Sequence, residues 1–131
     1  MRYLKGINED LRQSSMKKKL SNLDLKEVED LTILSLSYLI DDNLEVLLDL
    51  EDGVISISIG SKDASILEWD KIKDNIIPLF NLLNSQYILQ ETTSFFDEDG
   101  DHGGFTTDEI INDKVTIKGI EGILIFIRGK R

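Results

Sequence analysis

Apolar and polar residues alternate along much of the stretch 33–59. Leu34, Leu36, Tyr38 and Ile40 share one parity, with Ile33, Ser35, Ser37 and Leu39 between them. Leu44, Val46, Leu48 and Leu50 repeat the pattern against Glu45, Leu47, Asp49 and Glu51, and Ile55, Ile57 and Ile59 repeat it against Ser56 and Ser58. A period of two is that of a strand with one face turned to a core. Asp41-Asp42-Asn43 reads as a turn, and Asp52-Gly53 supplies the positive φ values of a type I′ hairpin. The pattern predicts an antiparallel three-stranded meander over 32–60. Its second face, with Ser35, Ser37, Glu45, Asp49, Ser56 and Ser58, meets water.

Elsewhere the spacing changes to three and four. Trp69, Ile72, Ile76, Phe80 and Leu83 predict a helix over 65–84 that covers the apolar face. Ser65 with Glu68 offers a capping box, and Asp70 offers a later start after a short strand. Pro78 removes one helical hydrogen bond, so a kink or break is expected near Ile77. Residues 8–20 read as a first helix: Asn8, Glu9 and Asp10 suit its start, and Lys17, Lys18 and Lys19 suit its end. Residues 24–30 stay open between helix and strand. Asp24 with Glu27 resembles a capping box, whereas Leu23 and Leu25 alternate.

Tyr87 to Ser94 reads as a strand and is followed by an acidic, glycine-rich loop over 97–109. Strands are then expected over 115–118 and 120–128. Ile123 to Ile127 lacks alternation, which suits a central strand buried on both faces. With one proline, no repeat and no linker-like stretch, residues 1–131 read as a single α+β domain. Its expected architecture is a mainly antiparallel five- or six-stranded sheet, with an N-terminal helix and a central helix packed on it.

Composition narrows the chemistry. Hydrophobic residues at 40% are enough to build a core, so a folded domain is expected. Cysteine is absent, which excludes disulfides and thiolate chemistry and is compatible with a reducing cytoplasm, the compartment expected here. The N-terminus lacks the apolar region of a signal peptide, no run is long enough to span a membrane, and no lipidation signal is present. The net charge of −10 argues against nucleic acid and against anionic membranes as partners. Acidity also serves solubility in its own right. The acids are nevertheless segregated. Glu27 to Ser61 holds nine acids and no Lys or Arg, and Tyr87 to Asp113 holds eight and none. This predicts an acidic side that fits a cationic protein.

Asp97, Asp99 and Asp101, followed by Gly103, Gly104 and Asp108-Glu109, partly match a calcium loop, in which alternate carboxylates converge on one ion. His102 stands where that loop needs glycine, and the glutamate falls one residue late at Glu109. The same residues suit a solvated hairpin loop. His102, the only histidine, would need an oriented partner and a pocket to serve as a general base. There is no G-x-S-x-G, phosphate-binding or dinucleotide-binding motif. Trp69 reads as core or as an interface anchor. No cofactor is expected, and the chain is expected not to be an enzyme.

In its one acidic α+β domain, its acidic loop and its lack of cofactor motifs, the chain resembles the small acidic immunity proteins of bacterial toxin systems, nearest those of contact-dependent growth inhibition. The resemblance implies one-to-one neutralisation of a cognate toxin, often a nuclease with a basic cleft. The contact groups expected are Asp97, Glu98, Asp99, Asp101 and His102, with Asp41, Asp42 and Glu45 as a second patch. The alternative expectation is a calcium-binding or other small interaction module built on the 97–109 loop.

Overall fold

The computed structural model describes residues 23–100 and 102–131, His102 by its backbone alone. The helix expected over 8–20 lies outside the described residues. The fold is α+β.

The first described element is a helix, α1 (Leu25–Asp42), where 33–40 reads as a strand. Asp24 caps it: its carboxylate accepts from the backbone N–H groups of Lys26 and Glu27. The segment has no glycine or proline and is rich in leucine, a strong helix former. Val28, Thr32 and Leu36, one helical turn apart, are its buried stripe. The Thr32 hydroxyl donates to the Val28 carbonyl, so the one polar member of the stripe is satisfied. The expected meander is therefore a helix followed by a hairpin.

That hairpin is β1 (Leu44–Glu51) and β2 (Val54–Ser61), in register from Leu44↔Ser61 to Glu51↔Val54. Asp52 and Gly53 both have positive φ, 54° and 78°, as the type I′ reading requires. A two-residue strand, β3 (Leu67–Glu68), leads into α2 (Trp69–Gln86). The helix starts late, after a short strand, but Asp70 does not cap it: the N-cap is Glu68, with no side-chain cap bond, and Asp70 lies inside the first turn. Ser65 caps nothing; its backbone N–H donates to Asp63. Pro78 lies inside α2 and does not end it. An interior proline costs about 3 kcal/mol. The buried stripe of Trp69, Ile72, Ile76, Leu79, Phe80 and Leu83 outweighs that, at about 1.5–3 kcal/mol for each large side chain.

The strand expected over 87–94 is two, β4 (Tyr87–Leu89) and β5 (Thr92–Phe96), interrupted at Gln90-Glu91. The long loop expected over 97–109 shrinks to a turn. It is followed by β6 (His102–Thr106) and a short helix, α3 (Thr107–Ile111). Residues 115–118 form no strand, and the chain re-enters sheet at β7 (Gly119–Ile120) and β8 (Gly122–Lys130).

The main sheet has the order β1-β2-β8-β5-β6, with β4 also on β8; β3 and β7 form a separate two-stranded ribbon. Every pairing is antiparallel. Ile55, Ile57, Ile59, Ile123, Ile125, Ile127 and Phe95 share the inward parity and join the stripes of α1 and α2 in one core. β8 is central, as expected. It is fully buried on that face alone, and its Leu124 and Phe126 are half-buried on the other. No described helix is long and apolar enough to cross a membrane.

Candidate functional site

Strand register brings the two expected acidic patches to the same end of the sheet. Leu44 at the start of β1 faces Ser61 at the end of β2. Ile59 faces Ile123 near the start of β8, and Phe96 at the end of β5 faces Gly122. The end of α1 and the Asp97–Asp99 turn therefore lie at one end of the molecule. They do not merge into one cluster. With neighbouring strands about 4.8 Å apart, the three steps from β1 to β5 separate them by about 14 Å. Glu45 has the outward parity of β1, so it points away from the helical layer that carries Asp41 and Asp42.

Asp41 and Asp42 are exposed in the last turn of α1, which has no basic residue. This placement opposes local physics. The C-terminal end of a helix carries partial negative charge, and an acid there costs about 0.3–1 kcal/mol. The Lys62 ammonium donates to the Ile40 carbonyl at 2.7 Å, which satisfies one helix-end acceptor without pairing either acid. Among the described residues, none of Asp41, Asp42, Glu45, Asp97, Glu98 or Asp99 is in an ion pair. The cations that do pair hold Asp30, Glu68, Asp70, Asp113 and Glu27, acids outside the two patches.

At the other margin, Asp97 shapes its own turn. Its carboxylate accepts from the Asp99 N–H at 3.0 Å, and its carbonyl accepts from the Gly100 N–H at 3.1 Å. Glu98 and Asp99 are exposed. The three line an open hollow of ≈ 530 Å³ with Thr116, Ile117, Lys118 and Gly119. Asp101 lies outside the described residues. His102 pairs with Phe96 at the start of β6, so it belongs to a strand where a loop was expected.

The described residues of the span 97–109 do not have the form of a calcium loop. Strand β6 runs through its middle, and Glu109 is committed elsewhere. Thr106 and Glu109 form a reciprocal capping box at the start of α3, in which the Glu109 carboxylate accepts from the Thr106 N–H at 2.8 Å. No group of three possible metal ligands occurs among the described residues. The run 122–130, which ends in Gly129-Lys130, is strand β8 and not a phosphate-binding loop. Trp69 is buried, stacks edge-on against Phe95 and donates to Asp113, so it belongs to the core.

Sequence reasoning missed one feature of this end. Leu34 and Tyr38, assigned above to the buried face of a strand, are 79% and 78% exposed on α1. Reading the segment at a period of 3.6 finds them, because they fall opposite the Val28–Thr32–Leu36 stripe. No family model matches the chain, and neither a curated protein nor a solved structure does.

Proposed function

We propose that the protein is an acidic protein-binding inhibitor of the immunity type. It neutralises a cognate toxin domain, a nuclease in the most economical reading, by occluding a basic cleft. The observation that carries this reading is the pair Asp41 and Asp42. They stand in no ion pair among the described residues, at the negative end of a helix and at the same end of the molecule as the Asp97–Asp99 turn. Acids kept where they oppose the helix dipole, and left unpaired by any cation among the described residues, are not explained by stability. They are explained by a positive surface that meets them in a complex. Negative potential at one end raises the association rate with such a surface, toward 10⁸–10⁹ M⁻¹s⁻¹ at low salt. It also repels nucleic acid, so the inhibitor competes for the cleft without binding the toxin's substrate.

The test is co-expression with the polypeptide encoded beside this protein's gene. Growth arrest by that polypeptide alone, rescue by this protein and a one-to-one complex on size exclusion are the expected results. A neighbour that arrests growth but neither is rescued nor forms a complex would remove the immunity reading.

A further inference from the structure

Helix α1 is apolar on two opposite sides. Val28, Thr32 and Leu36 face the core. Leu34 and Tyr38 lie about 200° around the helix axis from Leu36 or Thr32 and their turn-mates, and they stack one turn apart at 79% and 78% exposure. Ile33, beside them, is 43% exposed. A lone surface leucine needs no explanation. A helix apolar on both sides does, because an outward helix face is normally polar and an all-round apolar helix is buried on both sides. Tyrosine combines a large apolar ring with a polar tip, the side-chain type that anchors protein interfaces.

Charge decides what covers this face. Its two ends are acidic. Asp30 lies one turn before Leu34, paired with Lys26 at 2.9 Å, and Asp41 and Asp42 lie one turn after Tyr38, in no ion pair among the described residues. No Lys or Arg occurs between Glu27 and Ser61. A second copy of this chain running parallel would set Asp41 and Asp42 against themselves, and one running antiparallel would set them against the neutral Lys26–Asp30 pair, so neither offers them net positive charge. A surface with an apolar centre and lysines or arginines beside Asp41 and Asp42 meets the apolar middle and the uncompensated acidic end with their complements.

We propose that the outward face of α1 is the docking surface for the basic protein partner, with Leu34 and Tyr38 as its apolar anchors and Asp41 and Asp42 as its charged rim. This rests on the inhibitor reading above and assigns the contact within it. The helix supplies the bound surface, and the Asp97–Asp99 turn at the other margin contributes field to the encounter.

The test uses the full chain, ¹⁵N-labelled, and a defined probe: a helical peptide with leucines on one side and lysines on the other, beside a scrambled peptide of the same composition. Shift changes are expected to centre on residues 33–42 for the helical peptide. L34S/Y38S, which alters exposed positions only, is expected to raise its Kd about tenfold or more. D41N/D42N is expected to weaken binding and to flatten its dependence on salt. Changes centred on Leu47, Leu124 and Phe126 of the open sheet face, or on the 97–99 turn, overturn the proposal. So does dimerisation through α1, or contact of residues 1–22 with Leu34 in the free chain. Growth rescue separates the two readings. If L34S/Y38S neutralises the toxin as well as wild type, the docking face is wrong and the inhibitor reading stands. If the peptide maps to α1 but wild type neutralises nothing, the inhibitor reading falls.

Discussion

The Tyr87 hydroxyl donates to the Glu27 carboxylate across 60 positions of sequence, joining the first turn of α1 to the start of β4. The Lys130 ammonium stands 3.3 Å from the same carboxylate, so the last residue of β8 joins the knot. Tyr87 is buried in the core and only its hydroxyl reaches this edge. The contact therefore fixes where α1 begins on the sheet, and with it the face that carries Leu34 and Tyr38. Tyr87→Phe keeps the ring and removes the donor. A hydrogen bond to a charged group is worth about 1.5–3 kcal/mol, and solvent screening at the half-exposed Glu27 places this one below that range. Urea unfolding is expected to show a loss of about 1 kcal/mol with an unchanged m-value. No loss would mean that Lys130 alone holds Glu27.

Among the described residues, three carboxyls have pKa values held below their ordinary range. At Glu27 the main cause is the Tyr87 hydrogen bond, at Asp63 it is the Ser65 hydroxyl followed by Asn43, and at Asp113 it is Lys73. In each case the unfolded chain takes up a proton before the folded one. Their contribution is thus complete above the unfolded values of about 4 and is lost as pH falls through the lower folded values. Tyr87 is shifted upward, chiefly by burial, so its contribution is complete below about pH 10 and is lost only as pH rises through its folded value. The expected outcome is a urea midpoint that falls steeply below about pH 4. The slope should be shallower in a variant carrying E27Q, D63N and D113N. Equal slopes in the two proteins would show that these bonds do not drive acid unfolding.

Phe95 is fully buried and meets two rings edge-on, Trp69 at 5.6 Å and Phe105 at 5.3 Å. It clamps the β5–β6 hairpin to the start of α2, and the hairpin's turn carries Asp97, Glu98 and Asp99. Phe95→Ala leaves a cavity and removes both ring contacts, at a cost of about 3–5 kcal/mol. Phe95→Leu refills most of the volume and should recover more than half of the loss. Hydrogen exchange in residues 92–106 is expected to rise in both variants ahead of exchange in β1 and β2. Uniform acceleration across the sheet would mean that the hairpin does not open separately.

The misreading of α1 has a geometric cause. Two residues on a helix are about 200° apart, close to the 180° of a strand. A helix that is apolar on opposite sides therefore shows the same two-residue alternation as a half-buried strand, and Leu34, Leu36, Tyr38 and Ile40 present it. A helix with a polar outer face would have been read correctly. The β1–β2 hairpin was legible because Asp52-Gly53 fixes its turn chemically. Strand β6 was not, since Gly103 and Gly104 read as turn formers. At Gly103 the missing side chain makes room instead: a Cβ there would stand 3.3 Å from the Phe105 ring. The positions of Asp97 to Asp99 and of Asp41 and Asp42 in the chain were visible from the start. Their shared end of the sheet follows from register through β2 and β8, which spacing alone does not specify. Likewise the expected 97–109 loop failed because Glu109 caps α3, a role visible as Thr106-x-x-Glu109 but outweighed by the run of acids before it.

Asp41 and Asp42 set stability against binding, which gives the most decisive prediction. Each is exposed in the last turn of α1 and in no ion pair among the described residues, at a position where negative charge is unfavourable. Replacing both by lysine puts positive charge at the negative end of the helix and lowers the overall charge from −10 toward neutrality. Reversal should stabilise the domain by about 0.3–1 kcal/mol per site, seen as a higher urea midpoint and more strongly at low salt. The same reversal should remove neutralisation of the cognate toxin, because the rim would then repel the surface it serves to attract. A variant made more stable and less active at once is what residues kept for a partner produce. Asp49→Lys on the outward face of β1, where no helix end is involved, is expected to alter neither property by much. If D41K/D42K gains stability and still neutralises the toxin, these acids are not its contact.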